Sequence, residues 1–182
     1  MSAEAPAGLR VRPARTSDVS AIRRLVDLYA PDRRLLSKAT VTLYEDIQEF
    51  VVAEVDGYEI GVGALHVMWE DLAEIRTLAV DPGFVGRGVG GRVLRLLLDR
   101  AEMLGVGRVF CLTFETGFFE RHGFERYQGE VVPPEVFAEL LRSEDEGVAE
   151  FLDLERVKPN TLGNERMIHR VSSASRANIG AV

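Results

Sequence analysis

Four glycines, Gly86, Gly88, Gly90 and Gly91, crowd into the run Asp81-Pro82-Gly83-Phe84-Val85-Gly86-Arg87-Gly88-Val89-Gly90-Gly91. The apolar Leu78-Ala79-Val80 precedes it, and Val93, Leu94, Leu97, Leu98, Ala101 and Leu104 follow at helical spacing. Strand, glycine loop, helix is a device for holding phosphate. The first turn of a helix leaves backbone N–H groups unpaired and carries about half a positive charge. Glycine lets that backbone approach a ligand and adopt positive φ. The N–H groups of residues 85–90 are the expected grip, with Arg87 adding charge. A plain turn needs fewer glycines. No Gly-x4-Gly-Lys-Ser/Thr is present, which excludes a P-loop NTPase. Gly86-x-Gly88-x-x-Gly91 does fit the dinucleotide fingerprint, and Glu115 lies roughly where its ribose-binding acid belongs. Against that reading, Asp81 to Val85 separate the strand from the first glycine, and an antiparallel hairpin stands in front. It remains the runner-up and predicts nicotinamide or flavin binding.

Other chemistry is scarce. Cys111 is the sole cysteine and sits in Val109-Phe110-Cys111-Leu112-Thr113-Phe114. It reads as a small buried hydrophobe, not a nucleophile. His66, His122 and His169 have no metal-ligand spacing, so no metal is expected. A net charge of -7 makes the chain a poor attractor of nucleic acid. No apolar run approaches the ~18 residues that cross a membrane. Met1-Ser2-Ala3-Glu4-Ala5-Pro6 carries neither the cationic nor the apolar region of a signal peptide. A reduced, cytoplasmic protein without membrane or nucleic-acid partner is the expectation.

The elements that must position the glycine loop can be read from periodicity. With 182 residues one domain is expected over 9–170, between flexible tails at 1–8 and 171–182. Residues 9–15 alternate apolar and basic, a short strand. Ser17 or Asp18 can cap a helix that places Val19, Ile22, Leu25, Val26 and Tyr29 on one face and stops at Pro31. Residues 35–45 read as a short helix. Residues 50–55 and 59–69 read as strands joined at Asp56-Gly57, a hairpin signal, and 73–80 as a third. A helix over 93–104 ends at Gly105. Residues 109–114 then form a strand parallel to 73–80, completing a βαβ unit. Helices follow at 116–122 and from Pro134, with a last strand at 150–157.

Leu78-Ala79-Val80-Asp81-Pro82 followed by Gly86-Arg87-Gly88-Val89-Gly90 resembles the acetyl-CoA loop of the GCN5-related N-acetyltransferases (GNAT). Phe118-Phe119-Glu120-Arg121-His122-Gly123-Phe124 is similar to that family's aromatic-Tyr-x-x-x-Gly-Phe element. Phe50-Val51-Val52-Ala53-Glu54, Gly63-Ala64-Leu65-His66, and Trp69-x-Asp71-Leu72-x-Glu74-Ile75-Arg76-Thr77-Leu78-Ala79-Val80 look like the short, stand-alone N-acetylglutamate synthases of arginine biosynthesis. The resemblance covers roughly residues 9–170. It implies an α/β (α+β) GNAT fold: a mixed, mostly antiparallel sheet, splayed at the acetyl-CoA site and flanked by helices.

It further implies an acetyl-CoA-dependent transferase acting on the α-amine of L-glutamate, with L-glutamine the alternative acceptor and a homodimer the common assembly among relatives. Leu78, Ala79, Val80, Val85, Gly86, Arg87, Gly88, Val89, Gly90, Gly91 and Phe119 are the implied cofactor contacts. The N–H near Leu78 would face the thioester oxygen. Glu74 matches the position of the family's general base. Alternation along the strand would put residues 74, 76, 78 and 80 on one face. Glu115 is a second candidate base. Phe119 stands where most relatives carry a Tyr acid, which leaves Tyr44, His122, water or unaided departure of the thiolate. Val85 replaces the usual Arg or Gln. Arg76 and Lys38 are the expected readers of substrate carboxylates, with Arg10 and Arg12 behind them. His66 is expected to be structural or to edge the substrate pocket. Competing readings are an acetyltransferase for a protein N-terminus or another small amine, and a CoA-binding sensor without turnover.

Overall fold

Ile22, Leu25 and Val26 recur at three- and four-residue spacing, and burying that stripe is what holds residues 19–27 helical. The computed structural model describes residues 4–29, 39–129, 132–144, 148, 152 and 164–171. Along the chain these form β1 (Arg10–Pro13), α1 (Val19–Asp27), α2 (Thr40–Glu45), β2 (Phe50–Val55), β3 (Tyr58–Trp69), β4 (Leu72–Val80), α3 (Val89–Met103), β5 (Arg108–Thr113), α4 (Thr116–Glu120), β6 (Glu125–Arg126), α5 (Pro134–Leu140) and β7 (Glu165–Arg170). Hydrogen-bonded neighbours follow the order β1-β2-β3-β4-β5-β7-β6. Among the described residues, two compact units can be distinguished, one within Met1–His66 and Ile75–Gly105, the other within Val67–Glu74 and Val106–Val182.

In the first unit, β1 and β3 flank β2, both antiparallel to it. Asp56 (φ 51) and Gly57 (φ 78) make the tight turn between β2 and β3, as their types demand. Val19, Ile22, Leu25 and Val26 are at most 4% exposed and pack with Leu43, Phe50, Val52, Val62 and Ala79. At roughly 1.5–3 kcal/mol per side chain, this burial outweighs the low intrinsic stability of a nine-residue helix. Asp18 does not cap α1 with its side chain. Residues 16–18 wind a 3-10 turn first. The Asp18 carboxylate accepts the Arg15 N–H (2.7 Å) and two bonds from Arg12 (2.7 and 3.0 Å). Bonding to the Arg12 guanidinium, more than anything else, holds that carboxyl below its usual range.

α3 lies close to β3 because Gly61 and Gly63 present no side chain to it. A Cβ on Gly63 would stand 2.8 Å from Leu97 Cδ1 and Val93 Cγ1, and one on Gly61 2.9 Å from Val89 Cγ1. Further along α3, Arg100 reaches the carbonyls of Gln48, Glu49 (3.2 Å) and Phe50 (3.4 Å).

In the second unit the start of β4 pairs in parallel with β5, from Leu72↔Arg108 to Glu74↔Phe110. This is the βαβ connection expected from the sequence. β5 is bonded along its length to the antiparallel β7, which also carries β6. The core joins Met68, Leu72, Phe110, Val132, Val136, Leu140 and Ile168. β6 and β7 are additions to the sequence reading. Of the strand expected at 150–157 only Leu152 is described, in a turn that bonds back to Val148 O. Pro31, residues 35–38 and 172–182 lie outside the described residues; of the helix expected over 35–45, the described part contains α2, Thr40–Glu45.

Candidate acetyl-donor and acceptor site

The glycine loop is shaped by backbone conformations that only glycine adopts without strain. Gly86 has φ 80, and Gly88, the residue that opens α3, has φ 76 and ψ 1. The first bond of the helix runs from Arg92 N to Gly88 O at 3.2 Å. The N–H groups of Gly88, Val89, Gly90 and Gly91 therefore have no partner within the helix. α3 has no acidic residue in its first turn, unlike α5, which opens with Glu135. No acid of its own first turn neutralises the positive pole of α3, in a protein of net charge -7. That is the electrostatic preparation for an anion.

One N–H of the expected grip has a partner within the loop itself. The Arg87 N–H donates to Phe84 O at 3.3 Å, so it is committed to the turn. The Arg87 side chain, half-buried, lies with its guanidinium carbon 5.5 Å from the Phe84 ring centre. Val85 is 62% exposed. Ahead of the loop, the Ala79 side chain belongs to the core, which leaves only its backbone for a ligand. Leu78 and Val80 are half-buried.

β4 contains a correction. Thr77 has φ 55, uncommon for any side chain and an outlier for a β-branched one. A left-handed residue interrupts the pleat, so the alternation that would place 74, 76, 78 and 80 on one face breaks at Thr77. Arg76, half-buried, directly precedes it. Among the other cations proposed to read a carboxylate, Arg12 is committed to Asp18 and Glu54, each at 2.7 Å. Arg10 is exposed on β1. Lys38 lies outside the described residues. His66 Nδ1 meets Glu49 Oε1 at 2.6 Å. Tyr44 is half exposed.

The second unit contains the candidate base. Glu74 is 4% exposed in β4, so it is no surface carboxylate. By register and pleat it shares a face with Leu72 and Phe110. Burial, and then the charge of Glu74, push the Cys111 thiol far up. Cys111 is thus the inert buried residue its sequence context suggested. Glu115 is exposed at the start of α4, its N–H bonded to Thr113 Oγ1 at 2.9 Å. Phe119 is buried, edge-on to Phe118 and Phe124, both with ring centres at 5.1 Å. His122 Nδ1 is bonded to Phe118 O at 2.8 Å, which leaves Nε2 as its only ring nitrogen for proton transfer. No group of His, Cys, Asp and Glu able to hold a metal ion occurs among the described residues.

Sequence reasoning passed over three features near the loop. Tyr29, read as a core residue, donates its hydroxyl to Val80 O at 2.5 Å, and Arg24 pairs with Asp81 at 3.2 Å. Their partners are distant in sequence and leave no local signal. The Gly61 and Gly63 pair did leave one: alternate glycines within a strand mark a close approach on one face.

Residues 21–124 match the family model described as "Acetyltransferase (GNAT) family". An amino-acid acetyltransferase of Mycobacterium tuberculosis is 58% identical over 161 residues, covering 87% of this chain and 92% of that protein. A Mycobacterium tuberculosis structure in complex with CoA and NLQ superposes with a TM-score of 0.86 at 57% identity, over 90% of this chain and 99% of that one. N-acetylglutamate synthase from Neisseria gonorrhoeae, complexed with coenzyme A and N-acetyl-glutamate, gives 0.73 at 25% identity, over 92% of this chain and 36% of that one.

Proposed function

Because this chain belongs to the GNAT acetyltransferase family, its donor is acetyl-CoA, and we propose that its acceptor is the α-amine of L-glutamate, giving N-acetylglutamate at the entry to arginine biosynthesis. The observation that carries the substrate class is the 58% identity to an amino-acid acetyltransferase along nearly the whole of both chains. The synthase solved with N-acetyl-glutamate supports glutamate as the acceptor.

In this reading residues 9–170 serve as the transferase domain. The free N–H groups of Gly88, Val89, Gly90 and Gly91 hold the pyrophosphate, with Gly86 and Arg87 shaping the approach. The edge of β4 from Leu78 to Val80 pairs with the amide-rich arm as an added strand does. Glu74 takes the proton of the substrate ammonium, directly or through one water. The amine nitrogen then bonds to the thioester carbon, the carbon–sulfur bond breaks, and the nitrogen's second proton passes to solvent or to the released thiolate. Leu78 N–H stabilises the oxyanion formed between these events. Phe119 supplies no proton. A thiol of pKa about 8.5 leaves as thiolate near neutral pH without one, and holding both substrates together supplies much of the remaining rate. Arg76 and Lys38 pair with the carboxylates of glutamate.

Thiol release from acetyl-CoA, followed with glutamate, glutamine, a panel of other free amino acids and one peptide, tests the proposal. Release with glutamate is the expected result. Release with the peptide alone would point to a protein N-terminus as acceptor. Stabilisation by CoA without release to any acceptor would point to a sensor.

A further inference from the structure

Two side chains of the α1 segment grip the junction where β4 becomes the glycine loop. They lie 57 and 51 residues earlier in the chain than their partners. Arg24 donates through Nη1 to Asp81 Oδ2 (3.2 Å) and through Nη2 to Glu59 O (2.5 Å). Its guanidinium carbon lies 4.7 Å from the centre of the Tyr58 ring. Tyr29 Oη donates to Val80 O at 2.5 Å. Asp81 is held on every side. Oδ2 faces Arg24, Oδ1 accepts the Gly83 N–H (3.0 Å), and its own N–H donates to Ile60 O (2.8 Å). From there Phe84 N–H bonds to Asp81 O (2.8 Å) and Arg87 N–H to Phe84 O (3.3 Å). An unbroken series of contacts leads from Arg24 to the residue between the two positive-φ glycines.

We propose that Arg24 and Tyr29 are positioning residues for acetyl-CoA. Tyr29 fixes the last carbonyl of β4, and Arg24, acting through Asp81, fixes the turn that aims the N–H groups of Gly88–Gly91. The proposal rests on the acetyl-CoA reading above. A purely structural role is the alternative, and the two differ in what they move. The Arg24–Asp81 pair is part-exposed, at 35% and 22%, and such a pair adds little to global stability. Its effect should appear in coenzyme affinity.

The test compares Arg24→Gln, Arg24→Lys, Tyr29→Phe and Asp81→Asn with the unaltered protein. CoA affinity is measured by calorimetry, and kcat, both KM values and the unfolding midpoint are recorded. Asp81→Asn retains Oδ1 for Gly83 and removes the charge facing Arg24, so it perturbs the contact and spares the turn. Expected are a rise of about 3- to 10-fold in the Kd of CoA and the KM of acetyl-CoA for Arg24→Gln, Tyr29→Phe and Asp81→Asn. kcat at saturation should stay within about twofold, with the KM for glutamate unchanged. Arg24→Gln combined with Asp81→Asn should be no worse than Arg24→Gln alone, since that variant already breaks the contact with Asp81. Arg24→Lys should recover part of the loss. Variants with a lowered unfolding midpoint and an unchanged CoA Kd would overturn the proposal and leave the acetyl-CoA reading intact. An unaltered protein that binds no CoA would overturn both.

Discussion

Replacing Gly63 with alanine probes how closely α3 must approach β3. The added methyl would lie 2.8 Å from Leu97 Cδ1 and Val93 Cγ1, and 3.2 Å from Leu78 Cδ1. Carbon pairs rest at about 3.5–4.0 Å, so the shortest contacts are about 1 Å too close. Val93 and Leu97 are fully buried and have no free space to retreat into, so the helix must move away from the strand. Overpacking of this kind costs about 1–3 kcal/mol. With two branched ends in the way, a value near 2 kcal/mol is expected. At about 2–4 °C per kcal/mol for a protein of this size, the unfolding midpoint should fall by roughly 4–8 °C. The same movement displaces the N–H groups of α3 proposed above to hold acetyl-CoA, so on that reading KM for acetyl-CoA should rise with it. Urea unfolding with an unchanged m value and steady-state kinetics measure the two effects. Leu97→Val removes the terminal carbon that the new methyl meets, so the double variant should be more stable than the sum of the single losses predicts. A Gly63→Ala protein within about 0.5 kcal/mol of the unaltered one, or strict additivity with Leu97→Val, would refute the close-approach argument.

Three further perturbations follow from the site and its supports. Glu74→Gln should lower kcat by about 10²–10⁴-fold with CoA Kd unchanged, and a variant with ordinary kcat would remove Glu74 as the base. Gly88→Ala should cost about 1–2 kcal/mol through φ alone, because nothing lies within 4 Å of the new Cβ; Gly88→Asn, which tolerates this region, should restore much of the loss measured by chemical denaturation. Asp18 is held below its usual pKa by Arg12, so its contribution to stability is present above the unfolded value of 3.8 and is lost as pH falls through the lower folded value. Asp18→Asn should therefore flatten the stability profile in acid below about pH 4, and an acid limb identical to that of the unaltered protein would show that the pair with Arg12 has no net effect.

Legibility in the sequence followed the range of the forces at work. The β2–β3 turn was readable because Asp56-Gly57 carries its own conformational preference, and α1 and α3 because their stripes repeat within a few residues. The glycine loop was readable for the same reason, since positive φ is a local demand. β7 was not: Glu165-Arg-Met-Ile-His-Arg has only two adjacent apolar residues, and its strand exists because β5 offers an edge paired from Arg108 to Thr113. The interruption at Thr77 was hidden too, as its residue type argues for an ordinary strand. It undid the face assignment of Arg76 relative to Leu78. Arg24 and Tyr29 were invisible as partners of the loop, because only the tertiary fold brings them to Asp81 and Val80.

Helix α3 opens on a glycine with no side-chain cap and no acid in its first turn, so the polypeptide leaves out a piece of its own secondary structure. On the proposed reading, a bound phosphate completes it. Coenzyme and fold are then thermodynamically linked: at a hundred times its Kd the ligand adds about 2.7 kcal/mol to the stability of the native state. When acetyl-CoA is scarce, a larger share of the molecules would open to any protease present, and degradation would follow the open population. The abundance of the enzyme would then track the supply of its donor through turnover alone.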